Sequence, residues 1–231
     1  MSNHREKDAP GERWINEQIG GVELVDTPAD DVQIVKSEVV FHGAVWDIRR
    51  DTFVLGGESL TREYTDHTGA VAVLALDEGE RVLLIKQYRH PVGAHEWEIP
   101  AGLMDVVGES PLAAAQRELM EEADFQASEW ALLTDFYTTP GGSTENIRVF
   151  LARGLAPVAE KFVRVAEEAH LEHAWFPLTD VFHAVLRRDL QNPCLVVSIL
   201  AAHAAREENW LTLGDASENW ERREWVRGDR S

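Results

Sequence analysis

The stretch RELMEEADF, Arg117–Phe125, sets three glutamates within five positions of a segment whose apolar pattern is helical. Glu118 and Glu122 stand four apart, so on a helix they are neighbours. Like charges at that spacing cost an isolated helix roughly 0.2–0.5 kcal/mol. The spacing predicts a helix over about Pro111–Ala123, with Ser110 as N-cap and Pro111 at the first helical position. At about 100° per residue, Leu112, Ala115, Leu119 and Ala123 share a stripe about 80° wide, the face to be buried. Glu118 and Glu122 lie about 40° apart along one border of it. Glu121 falls about 60° further round, with Arg117 beyond and placed to pair with it. Two carboxylates held together at a core edge are a poor structural choice unless a cation stands between them. Mg2+ and Mn2+ are hard ions that take carboxylate oxygens together with phosphates. On these residues alone, a solvated acidic face reads equally well.

The residues before the helix favour the cation. In EWEIPAGLMDVVGES, Glu96–Ser110, the triplet Pro100-Ala101-Gly102 is expected to form a tight turn offering a backbone carbonyl. Glu109 stands just before the N-cap, within reach of Arg117.

Further upstream run short apolar segments: VQIVKSEVVFHG, AVWDIRRDTFVL, LTREYTDH, AVAVLAL and RVLLIKQYRH, punctuated by Gly56-Gly57 and by DEGE at 77–80. They predict an antiparallel meander of about five strands. Beyond the helix, strands are expected at 130–137 and 145–153, a charged loop at 156–172, a short strand at 174–178, and helices over 179–187 and 193–208. Strands first and one embedded helix give a mixed α/β (α+β) sandwich, not alternating βαβ units. The 231 residues, 44% hydrophobic and 27% charged, have the composition of a globular protein. A formal charge of −19 argues against nucleic acid or an anionic membrane as partner. Cys194 is the only cysteine, which excludes an internal disulfide and a cysteine-based zinc site. The polar start and the lack of any membrane-length apolar run predict a cytoplasmic protein.

Gly102, Glu109, Arg117-Glu118-Leu119, Glu121-Glu122 and Phe125 resemble the Nudix box: a glycine, a glutamate, then R-E-apolar-x-E-E-x-G-apolar. Seven residues separate Glu109 from Arg117, as in the box. Two departures stand out. Six residues, not five, lie between Gly102 and Glu109, and Asp124 occupies the place of the last glycine. That glycine ends the helix in a left-handed conformation, which aspartate tolerates better than most residues but less well than glycine.

The resemblance covers most of residues 37–208 and is nearest to bacterial ADP-ribose pyrophosphatases, through TREYTDHTGAVAVL, LIKQYRHPVGAHEWEIPAG and TTPGGSTENIRVFLA, with Pro140 beyond the box. It implies a Nudix-type α/β/α sandwich with a mixed sheet at 67–209. Before that domain come a polar extension at 1–30 and a β-strand dimerisation subdomain at 31–66; a tail follows at 210–231. It implies Mg2+ (or Mn2+) held by the Ala101 carbonyl, Glu118, Glu122, Glu121 and Glu168. The implied base is a late-loop glutamate in RVAEEAHLEH, Glu168 first and Glu167 second, with Glu121 as a third choice. The implied substrate contacts are Trp46, Arg62, Glu63, Arg89, Trp97, Glu98, Leu103, Thr139 and Glu145. Arg89 offers a planar fork to a diphosphate, and Trp46 or Trp97 a face for adenine. Each also has a plainer reading, as a surface ion pair or core packing. The implied reaction is hydrolysis of the diphosphate of ADP-ribose by a homodimer. The alternatives are a nucleotide sugar, NADH or a diadenosine polyphosphate as substrate, or a regulator that binds ADP-ribose without cutting it.

Overall fold

The computed structural model describes residues 24–159, 162, 164 and 171–227. Strand β4 (Ala70–Ala75), AVAVLA, is buried along its whole length. A strand without a polar residue has two apolar faces and must be covered on both. Ala70, Ala72 and Leu74 pack with Leu178 and Val181 of α2 (Leu178–Arg187) and Leu195 and Ile199 of α3 (Pro193–Glu207). Val71, Val73 and Ala75 pack with Ala114, Ala115 and Leu119 of α1 (Pro111–Ala123). One strand therefore defines both helix layers.

Around β4 the sheet is mixed. It pairs in parallel with β9 (Asn146–Pro157) and antiparallel with β7 (Ala101–Leu103). With β8 (Phe125–Tyr137) and β11 (Gly214–Asp215) the order is β11-β8-β9-β4-β7. A second sheet has the order β10-β5-β6, from β5 (Arg81–Arg89), β6 (Ala94–Glu98) and β10 (Glu172–Pro177). The result is an α/β/α sandwich. Ahead of it, β1 (Gln33–His42), β2 (Asp47–Leu55) and β3 (Glu58–Asp66) form a separate antiparallel sheet. Its β2–β3 turn needs φ of 60° and 85° at Gly56 and Gly57, which is glycine's province. Thr65 joins this sheet to the body, donating to Gly142 O at 2.9 Å and accepting from Thr144 N at 3.0 Å. Among the described residues no helix is long and apolar enough to cross a membrane.

The expected five-strand meander stops at three. AVAVLAL lacks the alternation of a strand with one solvated face, so it takes a parallel partner and two helix layers instead. Pro100-Ala101-Gly102, expected as a tight turn, leads into β7, and β6 precedes it. β8 and β9 run longer than expected, so 156–157 belong to β9 and Glu172 opens β10.

The tail had no legible periodicity, yet it is built into the body. Trp220, 6% exposed, belongs to the α1 cluster, and the Arg148 guanidinium lies 5.0 Å from its ring. Buried Arg148 is itself held by Asp135 at 2.9 and 2.7 Å and by Glu218 O at 2.5 Å. The short α4 (Glu221–Arg227) follows. Trp220→Ala is expected to cost about 3–5 kcal/mol in urea unfolding; a change within error would mean the tail only lies on the surface.

Candidate active site

Helix α1 starts at Ser110, whose Oγ accepts from Ala113 N at 3.2 Å. Its buried face carries Ala114, Ala115, Leu119 and Ala123, together with Glu118 and Glu122, only 8% and 7% exposed. The two carboxylates thus stand within the buried face, not at its border. Backbone makes this possible. A Cβ on Gly102 would lie 2.0 Å from the carboxylate carbon of Glu118, so glycine there leaves room for the acid. The Ala101 N–H donates to Glu122 Oε2 at 2.8 Å.

Arg117 handles the remaining charge. Its Nε and Nη2 donate to the two oxygens of Glu109, both at 3.0 Å. Its Nη1 reaches Glu118 Oε1 at 2.5 Å and Glu121 Oε2 at 3.2 Å. The bond from Arg117 holds the Glu109 carboxyl below its usual range. The Arg117 guanidinium is driven further toward its charged form, chiefly by Glu109 and then by the charge of Glu118. Buried, oxygen-only donors beside a glycine cradle fit a hard divalent cation. Glu118, Glu122 and the Ala101 carbonyl can supply it, with Glu121 at the edge. Among the described residues no three His, Cys, Asp or Glu close on one point. Mg2+ commonly completes such a partial shell with water and phosphate oxygens.

The β5–β6 pair carries a second group. Arg89 donates to Glu98 through Nε and Nη2, both at 2.7 Å, and Gln87 Nε2 donates to the same carboxylate at 3.1 Å. Glu98 is 2% exposed. Arg89 is held charged first by Glu98, and the charge of Glu122 also contributes, which ties this pair electrostatically to α1. The Cys194 thiol, at the start of α3, is pushed up to about 12 by burial and by the charges of Glu145 and Glu98. Glu145 accepts from Thr138 Oγ1 and lies 3.3 Å from His67 Nε2. Trp46 stacks on His67 with centroids 4.0 Å apart.

Other expected residues are engaged elsewhere. Trp97 meets Phe176 edge-on at 5.4 Å on the rim of the core, and Leu103 pairs with Ala70. Thr139 O accepts from Gly142 N and Ser143 N, closing the turn that leads to Glu145. Glu63 pairs with Arg50 at 2.6 Å and Arg62 donates to Thr61 O at 2.8 Å, both within the N-terminal sheet. Glu167 and Glu168 lie outside the described residues.

Residues 66–195 match the NUDIX domain family. The chain belongs to the Nudix family. It is 42% identical to an ADP-ribose pyrophosphatase of Mycobacterium tuberculosis (strain ATCC 25618 / H37Rv) over 175 residues, 75% of this chain and 84% of that protein. It is 36% identical to an ADP-ribose pyrophosphatase of Bacillus subtilis (strain 168) over 157 residues, 68% of this chain and 84% of that one. The fold matches the crystal structure of an ADP compounds hydrolase with a TM-score of 0.66 at 20% identity, covering 80% of this chain and 98% of the other.

The atypical end of this Nudix box has a local cause. Asp124 adopts φ 59°, ψ 29° and caps α1 by donating its N–H to Leu119 O and Met120 O, the work ordinarily left to glycine. Its carboxylate then does what glycine has no atoms for. Oδ1 accepts from Phe162 N at 3.2 Å and Oδ2 stands 2.8 Å from Arg164 Nη2. Arg164 Nε also donates to Glu121 O at 3.0 Å. His173, given no role from sequence, has Nε2 2.6 Å from Glu122 O. His67, Thr138 and Gln87 were missed too. Only His67 left a trace, as a histidine three residues before a wholly apolar strand. Asp124→Asn, which tolerates the left-handed conformation, and Arg164→Met should each lower unfolding stability by about 1–3 kcal/mol. The double variant should cost no more than either alone; additive losses in chemical denaturation would mean the pair is not coupled.

Proposed function

We propose that this Nudix hydrolase cleaves the diphosphate of ADP-ribose, giving AMP and ribose 5-phosphate, in a Mg2+-dependent reaction. The observation that carries the reading is the buried pair Glu118/Glu122 on its Gly102 cradle. The two ADP-ribose pyrophosphatases aligned over 84% of their own lengths support the choice of substrate. Glu118, Glu122 and the Ala101 carbonyl would hold the cation, with Glu121 auxiliary because its side chain, 38% exposed, lies outside the buried face that carries the other two. A bound divalent ion supplies Lewis-acid neutralisation of the diphosphate and lowers the pKa of a coordinated water.

The chain's own residues divide the rest. Glu98 takes two N–H donors of Arg89 and so orients the fork, whose other donors meet a phosphate oxygen. Trp46 covers the base and Glu145 takes a polar group of the substrate. Arg62, Glu63, Thr139, Leu103 and Trp97 are further contacts that the resemblance implies. Glu168, with Glu167 second, is the base that takes the proton of the attacking water, for in-line displacement at phosphorus. Positioning and electrostatics carry the rate, as in other phosphoryl transfers.

Glu122→Gln is expected to lower kcat by about two orders of magnitude or more while circular dichroism is unchanged; near-normal turnover would remove the metal assignment. The same assay, run with Mg2+ and with Mn2+ over ADP-ribose, ADP-sugars, NADH and diadenosine polyphosphates, should favour ADP-ribose in kcat/KM. Flat inactivity across the panel would sink the hydrolase reading.

We also infer a cytoplasmic homodimer joined through residues 31–66. The β1–β3 sheet and its β1–β2 loop leave Val35, Phe41 and Val45 exposed, apolar side chains that a second copy would cover. Sedimentation should give a dimer that Phe41→Asp weakens; a wild-type monomer at micromolar concentration would refute it.

A further inference from the structure

His67 is a histidine whose proton position is dictated by backbone. The Gly69 N–H donates to its Nδ1 at 2.9 Å, and a backbone amide has only a proton to offer. Nδ1 therefore keeps its lone pair, and the neutral ring carries its proton on Nε2. That nitrogen stands 3.3 Å from Glu145 Oε1. The other oxygen of Glu145 accepts from Thr138 Oγ1, and the Glu145 N–H donates to Ser143 Oγ at 3.1 Å. The ring is equally fixed from behind. His67 N donates to Thr144 Oγ1 at 2.7 Å, and the same hydroxyl donates to His67 O at 3.1 Å. His67 is buried, whereas Glu145 is only partly so, its side chain 29% exposed. Trp46, from the β1–β2 connection, lies on the imidazole face at an interplanar angle of 26°.

One buried ring thus touches two partly open groups from different parts of the chain, an indole and a carboxylate. A histidine serving only the core would have no need to direct its one proton at a half-open acid. We propose that His67 is a positioning residue of the active site. It sets the Glu145 carboxylate and the Trp46 indole in fixed relation, so that both meet the nucleotide part of the substrate at once. This rests on the substrate reading given above for Trp46 and Glu145. The effect belongs to binding: His67 acts through two other side chains, so its loss raises KM and spares kcat.

His67→Phe keeps an aromatic face for Trp46 and removes both nitrogens. With ADP-ribose and Mg2+, KM should rise about tenfold with kcat within about twofold. Adding Glu145→Gln to it should raise KM no further than Glu145→Gln alone. An unchanged KM in the folded variant, a loss in kcat alone, or additive effects of the two substitutions would overturn the proposal. Because Gly69 loses an acceptor, the variant is checked for folding. A second measurement is independent of it: imidazole 15N spectra of the wild type and of Glu145→Gln. The wild type should show the Nε2–H tautomer, and the Nε2 resonance should move when Glu145 is neutralised. An Nδ1–H tautomer, or an Nε2 signal indifferent to Glu145, would overturn the proposal without any turnover. Failure of the wild type to cleave ADP-ribose would count against the substrate reading instead, and the spectra would still decide the role of His67.

Discussion

Arg117 carries hydrogen bonds to Glu109, Glu118 and Glu121 on one guanidinium, and the end of α1 depends on it. Without that cation the helix would press uncompensated carboxylates against the core, where desolvation costs far more than the few tenths of a kcal/mol of surface repulsion. The puzzle of like charges four residues apart is therefore settled twice. Arg117 neutralises one side of the cluster, and the Ala101 N–H binds Glu122 on the other. The oxygens can then be kept buried, which preserves their strength toward a cation.

The sheet gives this arrangement its rigidity. β7 pairs with β4, and β4 is clamped between the two helix layers. Gly102 and Ala101 thus present backbone to α1 from a strand that cannot retreat. The Val73 N–H donates to Pro100 O at 2.8 Å, which fixes the approach to β7 as well. The same clamped strand is preceded by Gly69 and His67, so the α1 carboxylates and the Glu145 corner are referred to one frame.

Local features were legible in the sequence and distant ones were not. Ser110, Pro111 and the apolar spacing gave α1 its bounds because capping and helical period are set within a few residues. The Nudix box likewise lies within one short stretch. The parallel pairing of β4 with β9 was hidden, since AVAVLAL read as one more meander strand and its partner lies far down the chain. Pro-Ala-Gly has turn chemistry, but long-range pairing with β4 overrides it and makes Ala101–Leu103 a strand. Asp124 looked like a defect until Phe162 and Arg164 were seen against its carboxylate. Trp220 had no periodicity to read, because it is buried by packing rather than by a repeat.

That parallel pairing also bears on the order in which the molecule assembles. β4 leaves the ribosome early, but its parallel partner follows only after α1 and β8 have been made. Until then β4 has one edge unpaired and two apolar faces to hide. Parallel contacts between such distant segments are intrinsically slow to form. During synthesis, α1 and the β5–β6 hairpin are the pieces available to shelter it. Of these, α1 is the piece that stays: it covers Val71, Val73 and Ala75 in the finished fold, so the helix that carries the box glutamates is also a wall of the strand on which the site rests.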